Sequence, residues 1–157
     1  MNPDLAEKRA SALAFLTAKE TGVLATCSED GTPHARTLYF AADDTFAIYF
    51  LTLANTKKVA ELTATKKAAF LVSDADVPRS LEIEGAVADI TETAELDDRV
   101  RHLLGLFGAH GDHFAPLTHL DPAAVRYFRL APDYVRWADF TAGNRSADVL
   151  TELPAQA

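Results

Sequence analysis

The sequence predicts a mainly β protein, an antiparallel barrel of six to seven strands with α-helices on its outside. Three observations lead there. Short runs rich in β-formers follow one another with tight-turn residues between them. They come in hairpin order, not alternating with helices as a parallel sheet requires. One long run, SLEIEGAVADIT (80–91), alternates Leu81 and Ile83, then breaks phase at Gly85 before Val87 and Ile90. Such a break marks a bulge or sharp bend of the kind barrels use.

Along residues 4–19, Leu5, Ala12, Leu13, Phe15 and Leu16 fall at helical spacing and predict a first helix. GVLATCS (22–28) and HARTLYF (34–40) flank SEDGTP. Asp30-Gly31 between two β-rich runs signals a hairpin, because glycine accepts the positive φ of a tight turn. A turn around ADDT (42–45) leads into FAIYFL (46–51), completing a three-strand meander. Asn55 is placed as the N-cap of a helix with Val59 and Leu62 on its apolar stripe, running to about Lys66.

KKAAFLVSD (66–74) predicts a fourth strand, and 80–91 the long strand already noted. TETAELDDRVRHLLGLF (91–107) predicts a further helix, with Thr93 as N-cap and Leu96, Val100, Leu103, Leu104 and Phe107 as its stripe. A loop or broken-helix segment follows. VRYFRLAP (125–132) and DYVRWADF (133–140) predict two closing strands with a bend at Pro132. The whole chain, 1–157, is one domain with a core over about 5–140 and a polar tail.

Of 157 residues, 48% are hydrophobic, enough for a real core, and 24% are charged. A net charge of −8 argues against nucleic acid or an anionic membrane as partner, since both need a basic footprint. No apolar run spans a bilayer, and the N-terminus lacks the basic-then-apolar order of a signal peptide, so the expected location is cytoplasmic. Cys27, the single cysteine, reads as a small buried hydrophobe.

In an acidic chain, Lys57 and Lys58 at the start of a helix are out of place. That end carries partial positive charge and normally attracts carboxylates. Either both are solvated, or they meet an anion. A helix N-terminus with added ammonium groups suits a phosphate, and Thr52 and Thr56 add hydroxyls. Arg36 lies inside a strand, on one face with His34 and Leu38. Its fork suits a phosphate, if the strands at 34–40 and 46–51 are neighbours that bring it to the Thr52–Lys58 corner. The alternative is an outward-facing surface arginine.

With Asp30-Gly31, Arg36, Thr52 and Thr56-Lys57-Lys58 in that order, the chain resembles the pyridoxamine 5′-phosphate oxidase-like, FMN-binding split-barrel family. The likeness extends over roughly residues 5–140, with RSLEIEGAVADI (79–90) similar to the long fifth strand and LAPDYVRWADF (130–140) to the closing strands. It implies that Arg36 and Lys58 hold the FMN phosphate, with Lys57 and Thr56 beside them. Thr37, Leu38 and Tyr39 would run past the isoalloxazine ring, and Leu51 and Thr52 would line the ribityl chain and phosphate end. Ser80 falls where a glutamine often reaches the flavin from a second subunit. Trp137 falls near an aromatic that covers the flavin across the dimer. The implied assembly is a homodimer with two FMN molecules at its interface.

The resemblance further implies an oxidoreductase that reduces a small-molecule substrate with electrons from a nicotinamide cofactor, without identifying a catalytic acid or base. It does not imply the name-giving reaction. Ala41 stands where the true oxidases carry a lysine for the substrate phosphate, and FTAGNRSADVL lacks their Arg-x-His. A non-catalytic flavin-binding or redox-sensing protein, or one using a deazaflavin or haem in the same fold, are the alternatives. His102, His110, His113 and His119 would serve haem, but HGDH lacks i,i+4 zinc spacing, and no metal site is expected. Glu82, Glu84 and Asp89 read as the outer face of a strand. Asp97 and Asp98 read as helix-dipole partners, and Arg99 and Arg101 as a solvated helix face.

Overall fold

Three helices and eight strands make up the computed structural model, which describes residues 3–93, 97–109, 124–141 and 150–154. In chain order they are α1 (Pro3–Thr17), β1 (Thr21–Cys27), β2 (Pro33–Tyr39), β3 (Ala41–Ala42), β4 (Ile48–Leu53), α2 (Lys57–Thr65), β5 (Lys67–Asp74), β6 (Arg79–Asp89), α3 (Asp97–Ala109), β7 (Val125–Asp139) and β8 (Leu150–Leu153). The predicted class holds: the chain is mainly β, with one antiparallel curled sheet and helices around it.

The strand order is β2-β1-β5-β6-β7-β4-β3, with β8 paired to β7. The meander is therefore only half right. β1 and β2 form the predicted hairpin, with Cys27 opposite Pro33 and Gly31 at φ +88° in the turn. β2 and β4, however, are not ladder neighbours. They lie near opposite ends of the hydrogen-bonded path and approach within 8 Å between Cα atoms without strand pairing. The sheet curls until its ends meet, and that unbonded meeting is the split in the barrel.

One apolar cluster includes alternate residues of the curled strands: Leu24, Ile48, Phe50, Phe70, Val72, Leu81, Ile83, Phe128, Leu130 and Val135, with Phe15 and Leu16 of α1. A second cluster joins Ala41, Ala47, Tyr49, Leu51, Ile90 and Val125 to Leu103 of α3. β4 is buried on both faces and so supplies both clusters, Ile48 and Phe50 to one and Tyr49 and Leu51 to the other.

Several boundaries move for physical reasons. The strand expected from Phe46 starts at Ile48, because Phe46 has φ +62°, which a strand cannot continue. The N-cap of α2 is Thr56, not Asn55. α3 begins at Asp97, and Thr93 does not cap it; its hydroxyl donates to Ile90 O instead. Leu103 of the predicted stripe is buried, whereas Leu96 and the side chains of Val100, Leu104 and Phe107 lie outside the described residues.

The two predicted closing strands are one strand, β7. The bend is taken up by a register shift: Tyr134 faces Glu84 and Pro132 faces Gly85, leaving Asp133 as the extra residue. Glycine is required at 85, since a Cβ there would stand 1.9 Å from Ala131 O. The tail was expected to lie outside the core, yet β8 pairs with β7 and buries Leu153.

Candidate anion-binding site

The split in the barrel is where α2 begins. Thr56 precedes the helix with φ −96° and ψ 153°, but its side chain makes no capping bond. The hydroxyl turns back and donates to Leu53 O at 3.0 Å. The first turn of α2 holds no acidic residue. It holds Lys57 and Lys58, and the latter's Nζ donates to Thr52 Oγ1 at 2.6 Å. Thr52 is 5% exposed, at the end of β4.

Arg36 arrives from the other side of the split, on β2. Its Nη2 donates to Glu61 Oε2 at 3.2 Å, while its Nη1 is buried and without a hydrogen-bond partner. Glu61 is the hub of the cluster. Four residues into α2, its side chain is 4% exposed and accepts from Thr26 Oγ1 at 2.5 Å and Ser28 Oγ at 3.3 Å. His34 Nδ1 stands 2.9 Å from Glu61 Oε1, and His34 Nε2 lies 2.8 Å from Lys57 Nζ.

Cations outnumber carboxylates here: Arg36 and Lys57 share Glu61, Lys57 also feels the carboxylate of Asp30, and Lys58 has a hydroxyl as its partner. The Thr26 hydroxyl, then Arg36, hold the Glu61 carboxyl below the usual glutamate range despite its burial. Burial, then the positive charge of Arg36, push the Lys58 ammonium below the ordinary lysine value. Among the described residues no carboxylate pairs with Lys58. Two adjacent cations, one depressed and one with an orphaned buried N–H, are what an anion site looks like without its anion in view.

The site residues expected from the sequence separate into groups. Arg36, Thr52, Lys57 and Lys58 converge, with Thr56 alongside. Thr37, Leu38 and Tyr39 continue along β2, which ends the hydrogen-bonded path of the described strands. Leu51 faces away from Thr52, into the second apolar cluster. Ser80 sits on β6 opposite Ala138 of β7, outside this cluster. Trp137 is 3% exposed and packs on Phe15 with ring centroids 5.2 Å apart, inside the first apolar cluster.

Sequence reasoning missed Glu61, Thr26 and Ser28. The available signal was the i,i+4 spacing of Lys57 and Glu61 on α2. Other expectations also change. Cys27 is half-buried, with its thiol donating to Ser28 O. Arg99 pairs with Asp43 and lies over the Tyr49 ring, so it is not merely solvated. Glu82 and Asp89 do lie outward, paired with Arg136 and Arg126. His102 is exposed on α3, and His110, His113 and His119 lie outside the described residues. No group of three or more metal-ligating side chains occurs among the described residues. No helix among them is long and apolar enough to cross a membrane.

The sequence profile described as "Pyridoxamine 5'-phosphate oxidase" matches residues 9–138. No curated protein matches the chain. Among solved structures, a heme binding protein from Mycobacterium smegmatis superposes with TM-score 0.71 at 17% identity, over 99% of this chain and 60% of that one. A FAD-binding protein from Mesorhizobium loti gives TM-score 0.64 at 22% identity, over 80% and 88% of the two chains. An F420 reductase gives 0.59 at 28% identity, over 78% and 93%. Likenesses at this level establish a shared fold.

Proposed function

Because the chain belongs to the pyridoxamine 5′-phosphate oxidase family, we propose that it is an FMN-binding oxidoreductase that takes the cofactor's phosphate between Arg36 and Lys58. The observation that carries this reading is the buried, unpartnered Nη1 of Arg36 beside a lysine whose charge is disfavoured. A phosphate monoester carries a charge of about −2 once above its second pKa of about 6. Its negative charge suits Arg36 and Lys58, which meet no second carboxylate beyond Glu61 among the described residues.

A bound flavin supplies the redox chemistry itself. This chain's residues bind and orient it. Arg36 and Lys58 clamp the phosphate, with Lys57, Thr52 and Thr56 adjoining. Thr37, Leu38 and Tyr39 run past the isoalloxazine ring along β2, the last strand of the hydrogen-bonded path. The protein works as a homodimer, and Ser80 reaches the flavin from the second subunit, being remote from the cluster in its own. The substrate is a small molecule other than pyridoxamine phosphate, reduced with electrons from a nicotinamide cofactor. At Ala41, buried in the second apolar cluster, there is no cation for a substrate phosphate.

The absorption spectrum of the purified protein, before and after FMN is added and the excess removed, tests the reading. A two-band flavin spectrum that survives gel filtration supports it. A Soret band, or retention of a deazaflavin in preference to FMN, overturns it. The second outcome has a specific motive in the 28% identity to an F420 reductase. Light scattering on the flavin-loaded protein tests the assembly, which should have twice the 17.0 kDa mass of the chain.

A further inference from the structure

Glu61 is an unusual residue to find beneath a site for an anion. Coulomb's law alone says that a buried carboxylate beside the phosphate works against binding. Its contacts suggest why it is there. Arg36 is a five-donor fork, and Glu61 engages it through Nη2 alone. The other terminal nitrogen, Nη1, is left buried without a partner. Glu61 is itself held from behind by Thr26 on β1 and Ser28 at the start of the β1–β2 turn. It also lies 2.9 Å from His34 Nδ1, and the other ring nitrogen of His34 lies 2.8 Å from Lys57 Nζ.

We propose that Glu61 is the positioning residue of the phosphate cradle. Anchored to the sheet by Thr26 and Ser28, it fixes the Arg36 guanidinium so that Nη1 is aimed at the ligand. Through His34 it also docks Lys57 at the rim. The role concerns the phosphate, because Glu61 acts on Arg36 and Lys57, which the proposed function places at the phosphate end. This inference rests on the reading of the cluster as a phosphate site.

The test compares FMN with riboflavin, which differ by the phosphate alone. The ratio of their affinities isolates the cradle, and a general loss of fold would move both together. In wild-type protein FMN should bind the more tightly. In Glu61→Gln, which keeps the shape and removes the charge, the ratio should fall at least tenfold. If Glu61 were only a counter-charge, removing it would raise the ratio, so a ratio that rises or stays unchanged overturns the proposal. Thr26→Val leaves the charge in place and removes the anchor at Oε2. Positioning predicts a severalfold fall in the ratio there, and an unchanged ratio overturns the proposal even if the Gln variant does not fold. A wild-type ratio of one is a separate failure, since it removes the phosphate site itself.

Discussion

Lys58 Nζ donates to Thr52 Oγ1 at 2.6 Å, tying the first turn of α2 to the end of β4 on one side of the split of the barrel. The bond gives the Lys58 ammonium a neutral partner, so its charge is not spent on a carboxylate. Replacing Lys58 or Arg36 by alanine should weaken FMN binding by about 1.5–3 kcal/mol each, the range of a charge-assisted contact, or roughly 10- to 150-fold. Riboflavin binding should be unchanged. Isothermal titration of the folded variants checks this, and unaltered FMN affinity would place the phosphate elsewhere.

FMN affinity should decline on the alkaline side earlier than an ordinary lysine allows. Burial, with Arg36 beside it, lowers the Lys58 value from 10.5. Only the protonated form attracts the phosphate, so affinity is full below the depressed value and is lost as pH rises through it. The bound phosphate should in turn raise that value, and FMN binding in this range should take up protons. Titrations in buffers of different ionisation enthalpy measure that uptake. None is expected in Lys58→Ala.

Acid should destabilise the fold partly through Glu61. Its carboxyl lies below the ordinary glutamate value of 4.5 in the folded chain, held there first by the Thr26 hydroxyl and then by Arg36. Between the two values the unfolded chain binds a proton that the folded chain does not. The stabilisation is therefore complete above 4.5 and disappears as pH falls through the folded value. Melting temperatures from neutral pH downward should drop more steeply in wild type than in Glu61→Gln, and parallel curves would refute the assignment.

Gly85→Ala should destabilise the protein by about 1–3 kcal/mol or more, the usual cost of overpacking. The added carbon would stand 1.9 Å from a backbone carbonyl oxygen at Ala131, which cannot rotate aside. Denaturant unfolding measures it. Gly31→Ala makes a useful contrast, because a Cβ there meets nothing within 4 Å and only the φ of +88° opposes it. Its cost should be that of backbone strain alone.

Much of this protein follows from the sequence by itself, because periodicity and turn chemistry act over a few residues. The DG turn, the alternation of β1 and β5, the phase break at Gly85 and the misplaced cations at 57 and 58 all follow from local rules. The tertiary structure alone decided which distant strands meet. Curling the sheet until β2 approaches β4 brings Arg36 to Lys58 without the neighbouring pairing expected of them. The same packing turns Glu61, which reads as one polar residue on an amphipathic helix, inward onto Thr26 and Ser28. It also turns Trp137 inward onto Phe15. Burial and pairing of this kind depend on contacts between residues far apart in the chain, and local spacing carries no record of them.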